Sequence, residues 1–409
     1  MRLTGEQRRL LDGGRGEMVA RMMKLLVRLG EAYGADRMIP IASAQVSGVS
    51  YKSIGEPGMR LLLDIAAAGV KVQVLTFLNP AGMDLEAWRK LGIPRAFAAE
   101  QKRIMAAFRQ LGAVTSATCT PYLAGNLPRF GEHLAWAESS AVSFANSVIG
   151  ARTNREGGPS ALAAAICGCT PDYGLHREEN RRPSVVVKVE TALRSRADFG
   201  ALGYRVGERV KNGIPLFAGV SAARPDDLKA LGAAMAASGA VALYHVDGVT
   251  PEARLVETRG LESFAVKRRD LNRVFERLNT YRKPSKRTKK RGRGKLRPDI
   301  IVTGCPHASL ADIIALARRL QGRKLRTPLW ICTSRAARKS AEQMGLCQTI
   351  EAAGGRVVAD TCMVVSPMEE MGYGTTAVDS AKAAHYLPGF CGQQVLFDEL
   401  DAFIEDALI

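Results

Sequence analysis

Apolar residues recur at helical spacing from the start of the chain. Leu10, Leu11, Val19, Met22, Met23, Leu25, Leu26 and Leu29 mark a helix over 6–32, interrupted at Gly13–Gly14. Short apolar runs then alternate with longer stretches of helical period. Residues 38–44 read as a strand, 47–58 as a loop, 59–68 as a helix, 72–77 as a strand, 97–111 as a helix and 113–118 as a strand. The alternation continues with strands over 185–189, 214–220 and 241–246 and helices over 199–210 and 226–238. Further on, strands are expected over 299–303, 328–332 and 355–360, with a helix over 309–320 and another after Thr333–Ser334. Strand–loop–helix repetition of this kind predicts an α/β fold built from parallel-sheet units. Breaks in the pattern give an N-terminal unit over 1–183, a middle unit over 184–280, a basic loop over 281–297 and a C-terminal unit over 298–409.

One stretch departs from both periods. Between Trp136 and His176, Ser139, Ser140, Ser143, Asn146 and Ser147 are followed by Arg152, Thr153, Asn154, Arg155 and Glu156. Packing alone does not call for so many hydroxyls, amides and guanidinium groups, and the two arginine forks suit carboxylate or phosphate oxygens. Gly157-Gly158-Pro159-Ser160 then opens an alanine-rich helix. The free N–H groups of its first turn are a candidate anion seat.

Composition narrows the classes. A chain of 409 residues, 46% hydrophobic and 24% charged, is long enough for two or three globular domains. No apolar run spans a bilayer, and the charged N-terminus carries no apolar signal core, so a cytoplasmic protein without a membrane partner is expected. Net charge is +18, and residues 282–297 hold ten Lys or Arg and no acid. This stretch reads as a basic surface loop; it lacks the stacking aromatics of single-strand binders, which ranks a nucleic-acid partner last. There is no paired-histidine zinc motif, no G-x-S-x-G elbow and no phosphate-binding P-loop, and Gly203 and Gly207 are too isolated for a dinucleotide fingerprint.

The eight cysteines do not resemble a disulfide framework in so long a chain. Cys119, Cys305 and Cys362 each follow a predicted strand, where open parallel sheets build their sites. Three thiols presented there form a candidate iron–sulfur ligand set. Cys332 falls within a strand and Cys347 at a helix end, positions for packed thiols. Cys167 and Cys169 have no third ligand nearby, and Cys391 has no assignment.

Several segments resemble the aconitase X family. They are the 47–58 loop SGVSYKSIGEPG, TFLNPAGMDL (76–85), TCTPYLAGNLPRFGEHLAWAESSAV (118–142), ANSVIGARTNREGGPSALAAAI (145–166), TPDYGLH (170–176), TGCPHASL (303–310) and DSAKAAHYLP (379–388). The resemblance covers most of the chain. It implies an aconitase-like, multi-domain α/β/α architecture and a hydro-lyase with its cluster at strand C-terminal ends. The cofactor would be an iron–sulfur cluster, [4Fe–4S] with one open iron, held by Cys119, Cys305 and Cys362. One branch of the family dehydrates mevalonate 5-phosphate and another cis-3-hydroxyproline; chain length and basic character resemble the first, archaeal branch.

A substrate with two anionic ends needs donors at both. On the resembling segments these are Ser47, Gly48, Val49 and Ser50, then Asn79 and Pro80, Asn146 and Ser147, Arg152 and Arg155, and Lys382. Glu138 and His307 are the candidates for polarising groups or moving protons. The resemblance also implies a separate small swivelling subunit carrying the catalytic serine, so that the chain works as a heterodimer.

Overall fold

The structure is a computed structural model that describes residues 1–220, 222–281 and 297–409. The basic loop expectation at 282–296 lies outside the described residues. Three parallel sheets organise the chain. The first has strand order Leu75–Leu78, Ser43–Val46, Leu134–Trp136. The second runs His245–Val246, Pro215–Ala218, Val185–Val189, Ser263–Val266, and the third Gly355–Ala359, Leu329–Thr333, Ile300–Ala308, Thr375–Val378, Gln394–Phe397. Helices pack against all of them, as parallel strands require, since their crossovers place helices on the faces.

In the third sheet the earliest strand, Ile300–Ala308, is central and the order reverses beside Thr375–Val378. That is a topological switch point, and the crevice outside the strand ends opens there. In the first sheet Ser43–Val46 is likewise central. The C-terminal ends of these two sheets face one another, and buried charge fixes the facing. The Arg335 guanidinium donates to the carboxylates of Asp84, at 2.8 Å, and of Asp360, whose backbone carbonyl also accepts from Ala81 N at 2.8 Å. Asp84 and Asp360 are 0% and 1% exposed; losing Arg335 would leave the buried Asp360 carboxylate without a cation, while Asp84 would keep its second partner, Arg338.

Several elements differ from the sequence pattern. The run 38–44 splits: Met38–Pro40 pairs antiparallel with Cys169–Pro171, while Ser43–Val46 enters the first sheet. Pro40 has no N–H with which to continue a ladder. The expected loop over 47–58 is partly helical, because Ser50 caps a helix Tyr51–Ala67 that kinks at Gly55 (φ 57°) and Pro57. The expected strand over 113–118 is an extended segment with a single bridge, Ala117 to Leu78. Cys305 is not beyond its strand but inside Ile300–Ala308, where the register shifts between Thr303 and Ala308. Gly304 makes the shift possible: its φ is +93°, and a Cβ there would stand 2.1 Å from the Cys332 carbonyl. The strand Ser263–Val266 and the helix Arg268–Leu278 were not anticipated.

Candidate active site

Between the facing sheet ends lies a cavity of about 280 Å³. Each strand of the first sheet delivers its next residues to it: Ser47, Gly48 and Val49 after Val46, Asn79 and Pro80 after Leu78, and Ala137, Glu138 and Ser139 after Trp136. The third sheet contributes Cys305, Cys362 and Lys382, the last from the helix Ala381–Cys391 that follows Thr375–Val378. Cys119 and Arg155 complete the polar lining, and Tyr386, Phe390, Val364 and Val365 form an apolar wall. Gly158 holds the first loop in place, since a Cβ there would meet the Ser47 carbonyl at 2.5 Å.

The thiols of Cys119, Cys305 and Cys362 are free and lie close enough to feel one another's charge. Burial pushes all three pKa values up, that of Cys362 to about 12. Donors work in the other direction. His307 N–H points at the Cys119 sulfur at 3.1 Å, the backbone of Val364 and Val365 at Cys362, and the Ser380 side chain at Cys305. Such donors steady thiolate ligands of a metal centre. Among the described residues, no three His, Cys, Asp or Glu side chains close tightly enough to clasp a single ion. Three soft sulfur donors lining one cavity suit an iron–sulfur group.

Opposite them, Lys382 is ion-paired with Glu138 and lies 3.3 Å from Ser140 Oγ. Glu138 Oε2 accepts from Asn79 Nδ2 at 2.7 Å, and Oε1 from Ser140 Oγ at 2.9 Å. Burial disfavours the carboxylate, but the Lys382 charge and these bonds outweigh it and hold the Glu138 pKa down at about 2. Burial likewise opposes the Lys382 ammonium, and Glu138 overrides it, so its pKa rises. The carboxylate's stabilisation is complete above its ordinary 4.5 and is lost as pH falls through about 2. The ammonium's is complete below its ordinary 10.5. Both stay charged through neutral pH. Asn79 Oδ1 is buried and has no partner among the described residues.

Other expected site residues lie elsewhere. Asn146 is fully buried; its amide donates to Thr153 O and Ala242 O and accepts from Thr153 N and Arg181. Ser147 Oγ accepts from Tyr244 N, and Ser50 Oγ caps its helix and donates to Val365 O. These side chains hold loops together behind the cavity wall. Arg152 lines a different cavity, donating to His176 O. His307 is 0% exposed with both ring nitrogens engaged, and burial pushes its pKa down to about 4, so it does not reach the cavity. The Gly157–Ser160 helix start does not line this cavity; there Gly157 N donates to Ser160 Oγ, which donates to Glu156. Ser53, Ser139, Tyr386 and Phe390 line the cavity without having been anticipated. Ser139 stood next to Glu138 in the polar run and was legible there; the aromatic pair lies on one helix face and reads as ordinary core.

Family models described as the aconitase X first, second and third domains match residues 1–179, 183–276 and 298–409. The phosphomevalonate dehydratase large subunit of Methanocaldococcus jannaschii is 50% identical over 414 residues, covering 99% of this chain and 100% of its own length. The crystal structure of Thermococcus kodakaraensis aconitase X in its holo-form matches with a TM-score of 0.91 at 44% identity, over 100% of both chains. More distant is the cis-3-hydroxy-L-proline dehydratase of Pseudomonas aeruginosa, 36% identical over 417 residues that span 100% of this chain and 70% of that protein. No helix among the described residues is long and apolar enough to cross a membrane.

Proposed function

The chain belongs to the aconitase X family, and from that premise we propose that it is the large subunit of a hydro-lyase dehydrating (R)-5-phosphomevalonate to trans-anhydromevalonate 5-phosphate, in the archaeal mevalonate route to isoprenoids. The observation that carries this reading is one cavity lined by three thiols, the Lys382 ammonium and the Arg155 guanidinium. Cys119, Cys305 and Cys362 would hold an iron–sulfur cluster, [4Fe–4S] with one iron free of protein ligands. Bound there, it supplies a Lewis acid for the departing hydroxide, a poor leaving group unaided.

The chain's own residues do the rest. Elimination takes a proton from C2, next to the substrate carboxylate, and hydroxide from the tertiary C3. Fixed positive charge at the carboxylate makes the C2 proton more acidic, and Lys382 provides that charge in a largely dehydrated setting. Arg155 is exposed at the cavity wall and suits the terminal phosphate, which it can grip with two N–H groups. The orphaned Asn79 Oδ1 is an acceptor for a substrate hydroxyl. Glu138, held near pKa 2 with both oxygens occupied, is too weak a base for a carbon acid and serves as the counterion that fixes Lys382. With Glu138 committed to Lys382, the base is assigned, as the family resemblance implies, to a serine carried by a small partner subunit.

The test is water loss, assayed anaerobically with the small subunit present. Loss from 5-phosphomevalonate should exceed loss from cis-3-hydroxyproline by roughly 10⁴-fold in kcat/KM, because the second compound leaves the phosphate donors unpaired. Turnover of hydroxyproline alone would refute the assignment.

A further inference from the structure

The three thiols come from distant parts of the chain, and one residue touches all three segments that present them. His307 lies two residues after Cys305. Its Nε2 is 3.0 Å from the carbonyl of Thr361, the residue before Cys362. A carbonyl only accepts, so Nε2 carries the proton and Nδ1 is the acceptor. The hydroxyl of Thr118, the residue before Cys119, is 2.9 Å from Nδ1 and donates to it. The same hydroxyl accepts from Thr120 N at 3.1 Å, which closes the loop around Cys119. His307 N–H points at the Cys119 sulfur at 3.1 Å, and its carbonyl accepts from Lys229 Nζ at 2.9 Å, which ties in the middle sheet's helix.

Resting on the reading of Cys119, Cys305 and Cys362 as the iron–sulfur ligands, we propose that His307 is the positioning residue that sets the spacing of these sulfurs, its imidazole spanning Thr118 and Thr361 from within the strand that holds Cys305. A phenyl ring of similar size fills the space but makes neither bond. The loops of Cys119 and Cys362 are then no longer referenced to the strand of Cys305. Glutamine can return the donor to Thr361, because its amide nitrogen reaches about as far as Nε2. Thr118→Val cuts the same connection from the other side and leaves His307 in place.

The experiment uses the full chain, purified anaerobically and loaded with iron and sulfide. For the parent, His307→Phe, His307→Gln, Thr118→Val and Arg181→Met it measures iron per chain, the rate of iron loss to a chelator, the visible and electron paramagnetic resonance spectra, and the thermal midpoint of the iron-free protein. Arg181→Met breaks a buried ion pair with Glu252 that touches none of the thiol loops, so it reports destabilisation alone. Iron loss should accelerate about 10- to 100-fold in His307→Phe and in Thr118→Val, with altered spectra. His307→Gln should recover part of the retention, and Arg181→Met should keep its iron despite a lower midpoint. Parent-like retention and spectra in both His307→Phe and Thr118→Val would overturn the proposal, as would iron loss that simply follows the midpoint across the series. Should His307→Phe fail to fold, Thr118→Val decides alone. A parent chain that binds no iron would instead remove the ligand assignment, and this inference with it.

Discussion

Serine at any one of positions 119, 305 or 362 should lower iron per chain to below about a tenth of the parent's, whereas serine at 167, 169, 332, 347 or 391 should leave it unchanged. The contrast follows from placement. Only the first three of these cysteines line the cavity, and each sulfur there has a donor aimed at it. A serine oxygen is a harder donor than a thiolate and does not replace it on an iron–sulfur centre. Cys332 is the most demanding control. It is 0% exposed and close enough for the three thiols to push its pKa further up, after burial, yet it faces the packed core within the strand Leu329–Thr333. Iron quantitation on anaerobically purified variants measures the difference.

Lys382→Met should reduce kcat/KM about 10³-fold or more while iron content stays at the parent level. It removes the cation that faces the substrate and also leaves Glu138 buried without its partner. The loss of that partner should destabilise the fold by about 3–5 kcal/mol. Pairing the substitution with Glu138→Gln separates the two effects. The double variant should regain most of the lost stability, because no buried charge remains unpaired, but not the activity. Equal activity in the single variant and the parent would remove Lys382 from the reaction. Because both groups stay charged through neutral pH, titration of this pair should contribute nothing to an activity profile between about pH 5 and 9.

The alternation of short apolar runs and helical stretches made the α/β class and the parallel sheets legible. It also carried Cys362 and Asn79 to strand ends, because a run that stops at a polar residue locates its own end, whereas the three-residue strand Leu134–Trp136 that delivers Glu138 was too short to read. Cys305 was harder to place: the strand continues past Gly304, whose positive φ shifts the register instead of ending the pairing. The polar run from Glu138 to Glu156 mixed two populations that composition does not separate. Glu138, Ser139 and Arg155 face the cavity, while Asn146, Ser147 and Arg152 satisfy buried backbone and neighbouring loops. Hydroxyls and amides serve both purposes equally well, and only the fold decides which way each points. For the same reason His307 read as a proton carrier in sequence, whereas in the structure both its nitrogens are committed to the loops beside two of the thiols.

Diffraction from anaerobically grown crystals of the iron-loaded chain, recorded on both sides of the iron absorption edge, tests the central claim directly. One compact anomalous peak is expected in the cavity, within bonding reach of the sulfurs of Cys119, Cys305 and Cys362 and on the side facing Lys382. Iron bound at any other place, or a cavity without anomalous signal in a chain that carries its full iron content, would contradict it.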